Sequence, residues 1–402
     1  MKVSTAADIR TGKTSPADGS ALSFQCITTL EGLAGLRRDW LALEADCVDC
    51  ATLFQSHDWC MAWAETFVPH DDHLELLVIA IRDAGRLVCV LPAMVCSKSG
   101  IRILRTLSEP YAQYSGILCR PGWQTDATLD ILLEAIKSSH STDVIHLRHV
   151  REGSFAARFA RRHLSATGYR ETAPFMDLSA FDSEDAYLAR YTKVQRRRRK
   201  KIAGALEKLG SVSFEAHATS SDYEELVRSA VGSKQVWIAK RGLYSLPLTD
   251  PRLVNFLIAL ARRRHKTGLQ PVITTLKAGD RCISHELGLR YHGRHCAFIT
   301  GHDPDLTDLS PARLHMDRSQ RLALSAGMHI FDLMVPGDAY KASWASGVIN
   351  VEDYAAALTM RGRLHSALYI RLLRPLARIA YRHAPAWARL KAMSMIQAVA
   401  AK

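Results

Sequence analysis

The pattern of hydrophobic residues between positions 271 and 344 constrains the fold of this chain more than any other feature. Hydrophobic and polar side chains alternate along residues 282–291, as expected for a strand with one buried face. Pro311 and Gly327 are typical of the first position of a helix and of the residue that ends one. The stretch predicts four strands, at residues 271–276, 282–291, 295–300 and 329–333. It also predicts one helix, at residues 311–326. This order predicts a mixed α/β domain.

The start of the predicted helix is a candidate anion site. We expect Ser310 to cap it, because a serine oxygen accepts a hydrogen bond from a free N–H group of the first helical turn. A helix start beside a strand end presents free N–H groups and the positive end of the helix dipole, which suits a phosphate or diphosphate. The residues expected to form this site are Ser310, Pro311, Ala312 and Arg313.

Five short motifs in this stretch carry a resemblance to a known family. They are Gly301-His302-Asp303, Leu309-Ser310-Pro311-Ala312, Ala326-Gly327, Phe331-Asp332-Leu333, and Tyr340-Lys341 with Trp344. Their order and spacing resemble the GCN5-related (GNAT) acetyltransferase core. The residues of these motifs are most similar to those of the CelD-like branch. This branch is associated with cellulose and exopolysaccharide synthesis and is related to the FemAB aminoacyltransferases. Residues 54–59 and 111–116 resemble the N-terminal half of that branch, so the likeness covers most of residues 24–345.

The resemblance implies a fold class and a domain order. The fold would be α/β, with two GNAT-like domains in tandem, each a mixed, mainly antiparallel sheet flanked by helices, and a basic helical C-terminal tail. The expected parts are a disordered leader at 1–22, an N-terminal domain at 23–173, a C-terminal acyltransferase domain at 174–350 and the tail at 351–402.

The resemblance also implies a reaction. An acetyl or other acyl group would move from acyl-CoA to an amine or hydroxyl of a small or sugar-linked acceptor, such as an exopolysaccharide or cell-envelope precursor. In the FemAB-like pattern the lysine of the Tyr-Lys motif lies at the acyl-transfer centre. This likeness assigns to Lys341 the stabilisation of the oxyanion or the leaving group. The alternative is a solvated lysine in the first turn of a short helix.

Three further residues near the predicted strands are candidate proton-transfer groups. Glu286 would act as a general base, or it would form an ion pair with Arg290 or Arg294. His302 and Asp303 follow the third strand, at the strand end that faces ligands in such folds. A histidine titrates near neutral pH, which suits proton transfer, although His-Asp-Pro is also an ordinary turn.

Two segments before these strands are candidate substrate contacts. Residues 183–209 predict one long helix, with Arg198 on the same stripe as Val194. Arg198 would lie at the edge of the core or bind a phosphate of CoA or of the acceptor. Trp237 and Tyr244, in an aromatic, glycine-containing segment, would line an acceptor cleft or belong to an ordered connector.

The net charge of +13 is concentrated in two segments. The run from Arg196 to Lys201 is entirely basic, and residues 361–402 contain nine Lys and Arg and no acidic residue. Basic surfaces of this kind attract anionic partners. In the tail, a leucine stripe beside an arginine stripe predicts an amphipathic helix that Pro375 would kink or break. This helix would lie on an anionic membrane or dock on the body of the protein.

The remaining composition indicates a soluble protein of a reducing compartment. The nine cysteines are an odd number in a long chain, which argues against a disulfide framework. No hydrophobic run reaches the ~18 residues of a membrane span. We therefore expect a cytoplasmic protein, with peripheral membrane contact only through the tail. Cys47, Cys50, His57 and Cys60 are of zinc-ligand type, but with a single Cys-x-x-Cys motif no metal is expected.

Two other functions fit the same residues. FemAB-like aminoacyl transfer from tRNA is favoured by the basic run at 196–201. A non-catalytic module that binds RNA or membrane would keep the fold without turnover. Binding of acyl-CoA or of charged tRNA would distinguish these alternatives from the acyl-CoA-dependent enzyme.

Overall fold

The hydrophobic runs of the sequence form the strands of mainly antiparallel sheets. The computed structural model describes residues 10–13, 22–47, 50–139, 142–218, 222–263, 268–385 and 388–389. The strands of these residues are β1 (Arg10–Lys13), β2 (Leu22–Ile27), β3 (Leu74–Asp83), β4 (Arg86–Lys98), β5 (Ile101–Thr106), β6 (Leu118–Cys119), β7 (Val144–Arg151), β8 (Ser165–Asp177), β9 (Val212–His217), β10 (Gln270–Ala278), β11 (Arg281–Tyr291), β12 (Arg294–His302), β13 (Ile330–Asp332) and β14 (Gly347–Ala357).

Helices connect and cover these strands. The α-helices of the described residues are α1 (Leu30–Gly35), α2 (Arg37–Asp46), α3 (His57–Phe67), α4 (Asp126–Ser138), α5 (Phe155–His163), α6 (Glu184–Ala189), α7 (Lys193–Glu207), α8 (Tyr223–Lys240), α9 (Leu246–Thr249), α10 (Arg252–Arg262), α11 (Pro311–Ser325), α12 (Ala339–Ala342), α13 (Met360–His365) and α14 (Arg374–His383). Short 3-10 helices lie at Cys50–Gln55, Val68–His70, Pro121–Trp123 and Pro304–Leu309, and Ser366–Leu373 is π-helical. Within these ranges, every helix is too short or too polar to cross a membrane.

The chain forms two units. The first consists of the residues up to Thr172 together with Ile349–Arg378, and the second consists of Ala173–Val348 together with the residues from Ile379. In the first unit the strand order is β1-β2-β3-β4-β5-β7-β14, and β6 pairs with β4. Only β5 and β7 are parallel neighbours in that order. Its core is formed by β2–β5 and β7 with α4 and α5.

The second unit contains the strands predicted from the central pattern. Their order is β8-β13-β12-β11-β10-β9. β12 and β13 run parallel, and the other neighbouring pairs are antiparallel. Helix α11 lies between β12 and β13 in the sequence and packs against β10, β11 and β12. The predicted class, mixed α/β with mainly antiparallel sheets flanked by helices, is confirmed.

The parallel neighbours β12 and β13 differ in length. β12 is registered with β13 only over Arg294–Cys296, and the described pairings of the remainder of β12 are with β11. The β11–β12 register shifts between Leu287 and Gly288, where β12 contains the extra residue Phe298. Such a bulge bends a strand and is common beside active sites. Because β13 ends at Asp332, the residues of β12 beyond Cys296 extend past the end of β13.

Both ends of the chain differ from the sequence prediction. Residues 10–13 of the predicted disordered leader form β1, which pairs with β2, and residues 1–9 and 14–21 lie outside the described part. Residues 351–357 of the predicted helical tail belong to β14, which pairs with β7, so the helical part begins at Met360. Pro375 does not end the helix. It lacks a backbone N–H group, and the π-helical turns at Ser366–Leu373 change the pattern of backbone hydrogen bonds just before it.

The predicted helix at 183–209 is two helices. α6 ends at Ala189, and α7 begins after Thr192, whose side chain and Gln195 form a capping box. The new start resets the helical phase, so residues on either side of Thr192 do not share one stripe. Val194 is consequently exposed rather than buried.

Candidate active site

A cluster of cationic side chains surrounds Trp237 in the second unit. Helix α8 packs against β12 and carries Lys234 one turn before Trp237. The Lys234 Nζ lies 4.2 Å from the centre of the Trp237 ring, and the Arg241 Cζ lies 4.3 Å from it. These are cation–π distances, so the indole holds two positive groups next to each other. The His302 ring, at the end of β12, meets the Trp237 ring edge-on at 6.3 Å.

Lys234 has the most perturbed lysine side chain of this cluster. Burial, followed by the charges of Lys341 and Arg241, lowers its pKa from 10.5 to about 8. A neutral amine is therefore accessible near physiological pH, as a general base requires. Lys234 was not among the residues predicted from the sequence. Its spacing from Trp237 and Arg241 places them on one face of α8, but only tertiary packing shows that the lysine is half-buried beside Lys341.

Lys341 lies on α12 and borders the same cluster. Its Nζ donates a hydrogen bond to the Met334 carbonyl oxygen at 3.0 Å, and its backbone N–H donates to the Asp338 side chain at 2.7 Å. The side chain is half-buried and is among the charges that lower the Lys234 pKa. The structure therefore brings Lys341, predicted from the Tyr-Lys motif, together with a lysine that was not predicted.

The neighbouring Tyr340 connects α12 to the start of α11. Its hydroxyl donates to the Ala312 carbonyl oxygen at 3.0 Å, and the Arg313 Cζ lies 5.7 Å from the centre of its ring. Burial raises the pKa of the Tyr340 hydroxyl. Tyr340 therefore contacts the predicted anion site at Ser310–Arg313, and the next residue, Lys341, borders the cationic cluster.

The start of α11 differs from the prediction in one respect. Ser310 has φ +56° and makes no side-chain capping bond, so it does not act as a conventional N-cap. The 3-10 helix at Pro304–Leu309 ends at the same residue, and the left-handed conformation turns the chain from one helix into the next. Pro311 occupies the first helical position as predicted.

His302 and Asp303 have separate environments. Burial, then Arg241 and Lys234, lower the pKa of His302, which keeps its ring neutral. Asp303 accepts hydrogen bonds from the Arg281 side chain at 2.8 Å and from the Asp305 backbone N–H at 3.0 Å. Its carboxylate is thus occupied in holding the turn after β12. His302 faces the cluster around Trp237, and Asp303 does not share that contact.

Glu286 lies in the core and not at an exposed strand face. It is 1% exposed, and its Oε1 accepts hydrogen bonds from the His295 ring and from the Ser319 hydroxyl, each at 2.7 Å. The expected ion pair with Arg290 or Arg294 is wrong, because Arg294 instead pairs with Asp332 at 2.9 Å. A bulge in β12 sets the register that brings His295 beside Glu286, and sequence alternation does not reveal a bulge.

Arg199, and not Arg198, is the inward-facing arginine of α7. Arg198 is exposed, whereas the Arg199 Nε donates to Asp317 at 3.1 Å. The Arg199 Cζ also lies 3.3 Å from the centre of the Tyr191 ring and 4.9 Å from that of Trp344. The capping box at Thr192 shifts the stripe by one residue. The other cations of the basic run remain at the surface.

Trp237 and Tyr244 are the other two substrate contacts predicted from the sequence. Trp237 belongs to α8, not to a connector, because the helix continues to Lys240. Tyr244 follows this helix and is half-buried, and its backbone N–H donates to the Tyr381 hydroxyl at 2.9 Å. In the part of the chain that the structure describes, no group of three or more His, Cys, Asp or Glu side chains is arranged to hold a metal ion.

Comparison with known proteins agrees with this architecture. Residues 192–342 match the model of the acetyltransferase (GNAT) domain. The fold is similar to the crystal structure of FemX, with 11% identity, 76% of this chain and 93% of FemX covered and a TM-score of 0.55. It is also similar to the C-terminal domain of a protein from Agrobacterium fabrum described as a lysylphosphatidylglycerol synthetase, with 11% identity, 83% and 96% covered and a TM-score of 0.52. No curated protein sequence matches the chain.

The matched domain includes the whole cationic cluster. Lys234, Arg241, His302 and Lys341 all lie between residues 192 and 342. The cationic cluster therefore falls within the segment of the second unit that matches the acetyltransferase (GNAT) domain model. The structural likenesses, at 11% identity, concern the fold alone.

Proposed function

We propose that this protein is an acyltransferase that moves an acetyl or other acyl group from acyl-CoA to an amine or hydroxyl acceptor. The observation that carries the proposal is the cluster of Lys234, Arg241 and Lys341 inside the GNAT domain. A half-buried lysine with a pKa of about 8 beside a second, charged lysine supplies both a proton acceptor and a fixed positive charge. Acyl transfer needs both of these.

In this mechanism the two lysines have different roles. Neutral Lys234 accepts the proton of the attacking amine or hydroxyl as the new C–N or C–O bond forms. The Lys341 ammonium, held by the Met334 carbonyl, stabilises the negative charge that develops on the acyl oxygen. The C–S bond then breaks, and the proton held by Lys234 passes to the departing thiolate. Proton and charge therefore balance within the transfer. His302, with its lowered pKa, remains neutral and shapes the cluster.

The residues around the start of α11 fit the anionic part of a CoA thioester, which supplies the activated acyl group when bound. The fifteen-residue helix presents its positive end at Pro311–Arg313. Arg313 adds a cation next to Tyr340. The contacts of Tyr340, the neighbour of Lys341, with Ala312 and Arg313 support a ligand path between this helix start and the lysine cluster.

The acceptor and the location are extensions of the same proposal. We place the protein in the cytoplasm, acting on a small or sugar-linked acceptor of the exopolysaccharide or cell-envelope type, as the CelD-like resemblance implies. The tail would bring it to an anionic membrane. Exposed hydrophobic side chains line one face of the tail, namely Met360, Leu364, Leu368, Leu372, Leu376 and Ile379. Arginines accompany them, as in helices that lie at membrane surfaces.

The opposite face of the tail docks on the first unit. Ile370 is 2% exposed and packs with Ile103 and Val144. Arg374 donates to Asp353 at 3.3 Å and contacts the His146 ring nitrogen at 3.1 Å. The two alternatives for the tail are thus compatible, because docking uses one face of the helix and the other remains exposed.

Aminoacyl transfer from tRNA is the second candidate function. Helix α7 exposes six cations, Lys193, Arg196, Arg197, Arg198, Lys200 and Lys201. No acidic residue accompanies them until Glu207, so this face would suit a nucleic-acid backbone. An assay with both donors decides between the two candidates. Under the proposal, acetyl-CoA releases free thiol in the presence of an amine acceptor panel, and charged tRNA is not deacylated. Turnover from charged tRNA alone would favour the second candidate, and a folded protein that uses neither donor would indicate a binding module.

A further inference from the structure

The first unit contains a polar cavity that the proposed reaction does not use. Its volume is about 70 Å³, and its polar lining consists of Thr106, Glu109, Gln113, Ser115, Arg148 and His149. A buried water needs roughly 10–15 Å³ by this measure, so the cavity has room for about five water-sized groups. It therefore admits the polar end of a small molecule.

Glu109 places an unsatisfied acceptor at this cavity. It is 8% exposed, and its Oε1 accepts a hydrogen bond from the Arg148 Nη1 at 3.0 Å and lies 3.6 Å from the Arg105 Nη1. Among the described residues, its Oε2 has no hydrogen-bond partner. Burial opposes ionisation of Glu109, but Arg148 and Arg105 outweigh burial and lower its pKa to about 2. An ionised oxygen without a donor is costly when water is excluded.

The other side of the cavity offers a hydroxyl and an imidazole. The Ser115 Oγ accepts from the Thr106 hydroxyl at 2.6 Å and from the Arg148 backbone N–H at 3.1 Å, which leaves its own hydrogen to donate. The His149 Nδ1 lies 3.1 Å from the Gln113 carbonyl oxygen. Burial and Arg148 lower the pKa of His149, so the neutral ring donates from Nδ1 to that carbonyl oxygen and leaves Nε2 as an acceptor.

The charges of the cavity disfavour ionic ligands. Glu109 is already paired with Arg148 and Arg105, and Arg148 is also balanced by Asp353, whose Oδ2 lies 3.6 Å from the Arg148 Nε. A charged ligand would therefore lose its hydration in the cavity without gaining an unpaired counter-charge. A ligand that donates to Glu109 without a charge of its own avoids this cost. Hydroxyl groups have this property, and each can also accept a hydrogen bond from Ser115.

We propose that this cavity is a binding site for a small uncharged polyhydroxy ligand, one hydroxyl of which donates to the Glu109 Oε2. The inference does not depend on the proposed reaction, because every lining residue belongs to the first unit. A monosaccharide end or a simple polyol has the required chemistry and size.

Ligand-observed NMR on the full chain tests this site, with glycerol and xylitol as probes. Ethanolamine and acetate serve as charged probes of similar size. We expect the polyols to bind at least about tenfold more tightly than either charged probe. Equal or tighter binding of ethanolamine or acetate would contradict the charge argument.

Two variants locate the binding. Glu109→Gln removes the ionised acceptor, and Ala112→Leu fills the cavity from a half-buried lining position without altering an ion pair. Each should weaken polyol binding by about tenfold or more. Glu134→Gln, at an exposed position of α4, is the matched control and should leave binding unchanged. If Glu109→Gln does not fold, Ala112→Leu decides: polyol binding at the parent level in that variant overturns the proposal.

Discussion

The role assigned to Lys234 predicts a specific pH dependence. Its pKa of about 8, against 10.5 for an ordinary lysine, follows from burial and from the charges of Lys341 and Arg241. At pH 7 roughly a tenth of such a group is neutral, compared with about one molecule in 3,000 for an unperturbed lysine. We therefore expect kcat to rise by about tenfold per pH unit below this pKa and to level off above it. The profile is measured from thiol release at saturating acyl-CoA.

Three substitutions test this profile. Lys234→Met should remove the rising limb and lower turnover by roughly 100- to 10,000-fold. Lys341→Met removes a neighbouring positive charge, so the pKa of Lys234 should increase and any residual activity should rise at higher pH. Lys240→Met is the matched control, because this exposed lysine of the same helix pairs with Asp305. A Lys234→Met enzyme that retains the limb and stays within about threefold of the parent would refute the reasoning.

Three variants, one of them Lys341→Met again, address the oxyanion, the donor and the tail. Lys341→Met should lower turnover about 100-fold at pH 7 with little change in melting temperature or acyl-CoA affinity, and a rate within about threefold of the parent would end its assignment. Ala312→Leu should weaken acetyl-CoA binding by about tenfold or more in calorimetry, because the larger side chain would obstruct the start of α11; unchanged affinity would place the phosphates elsewhere. The double variant Leu372→Glu with Leu376→Glu should reduce sedimentation with anionic liposomes while changing the free energy of unfolding by only about 0.5 kcal/mol. The control Val348→Glu should leave sedimentation unchanged. An equal loss of sedimentation in the control would show an effect of charge alone.

The strands of the second unit could be predicted from the sequence because their signal is local. Alternation along 282–291 and the turn before it depend only on neighbouring residues. The structure confirms the strand as β11. The turn connects it to β10, with which it forms an antiparallel pair. Helix phase was harder to predict. A capping box at Thr192 starts a new helix, α7. The arginine on the inner face of α7 is therefore Arg199 and not the predicted Arg198.

The chemistry of the site could be predicted only in part, because burial is a tertiary property. The Tyr-Lys motif leads to Lys341 through resemblance, but the charge state of Lys234 depends on the packing of α8 against β12 and on the nearby charge of Lys341. The environment of Glu286 shows the same dependence on packing. Its strand position is compatible with a general base, and only the β12 bulge reveals that His295 and Ser319 occupy one of its oxygens in the core.

The central claim is that the second unit uses acyl-CoA at the Lys234–Lys341 cluster. The most direct measurement is isothermal titration of acetyl-CoA into the full chain at physiological salt, repeated with charged tRNA and with the Ala312→Leu variant. The account predicts one acetyl-CoA site per chain that the variant weakens, and no comparable tRNA binding at ~0.15 M salt. An absence of acetyl-CoA binding to the folded parent protein, together with tight binding of charged tRNA, would contradict it.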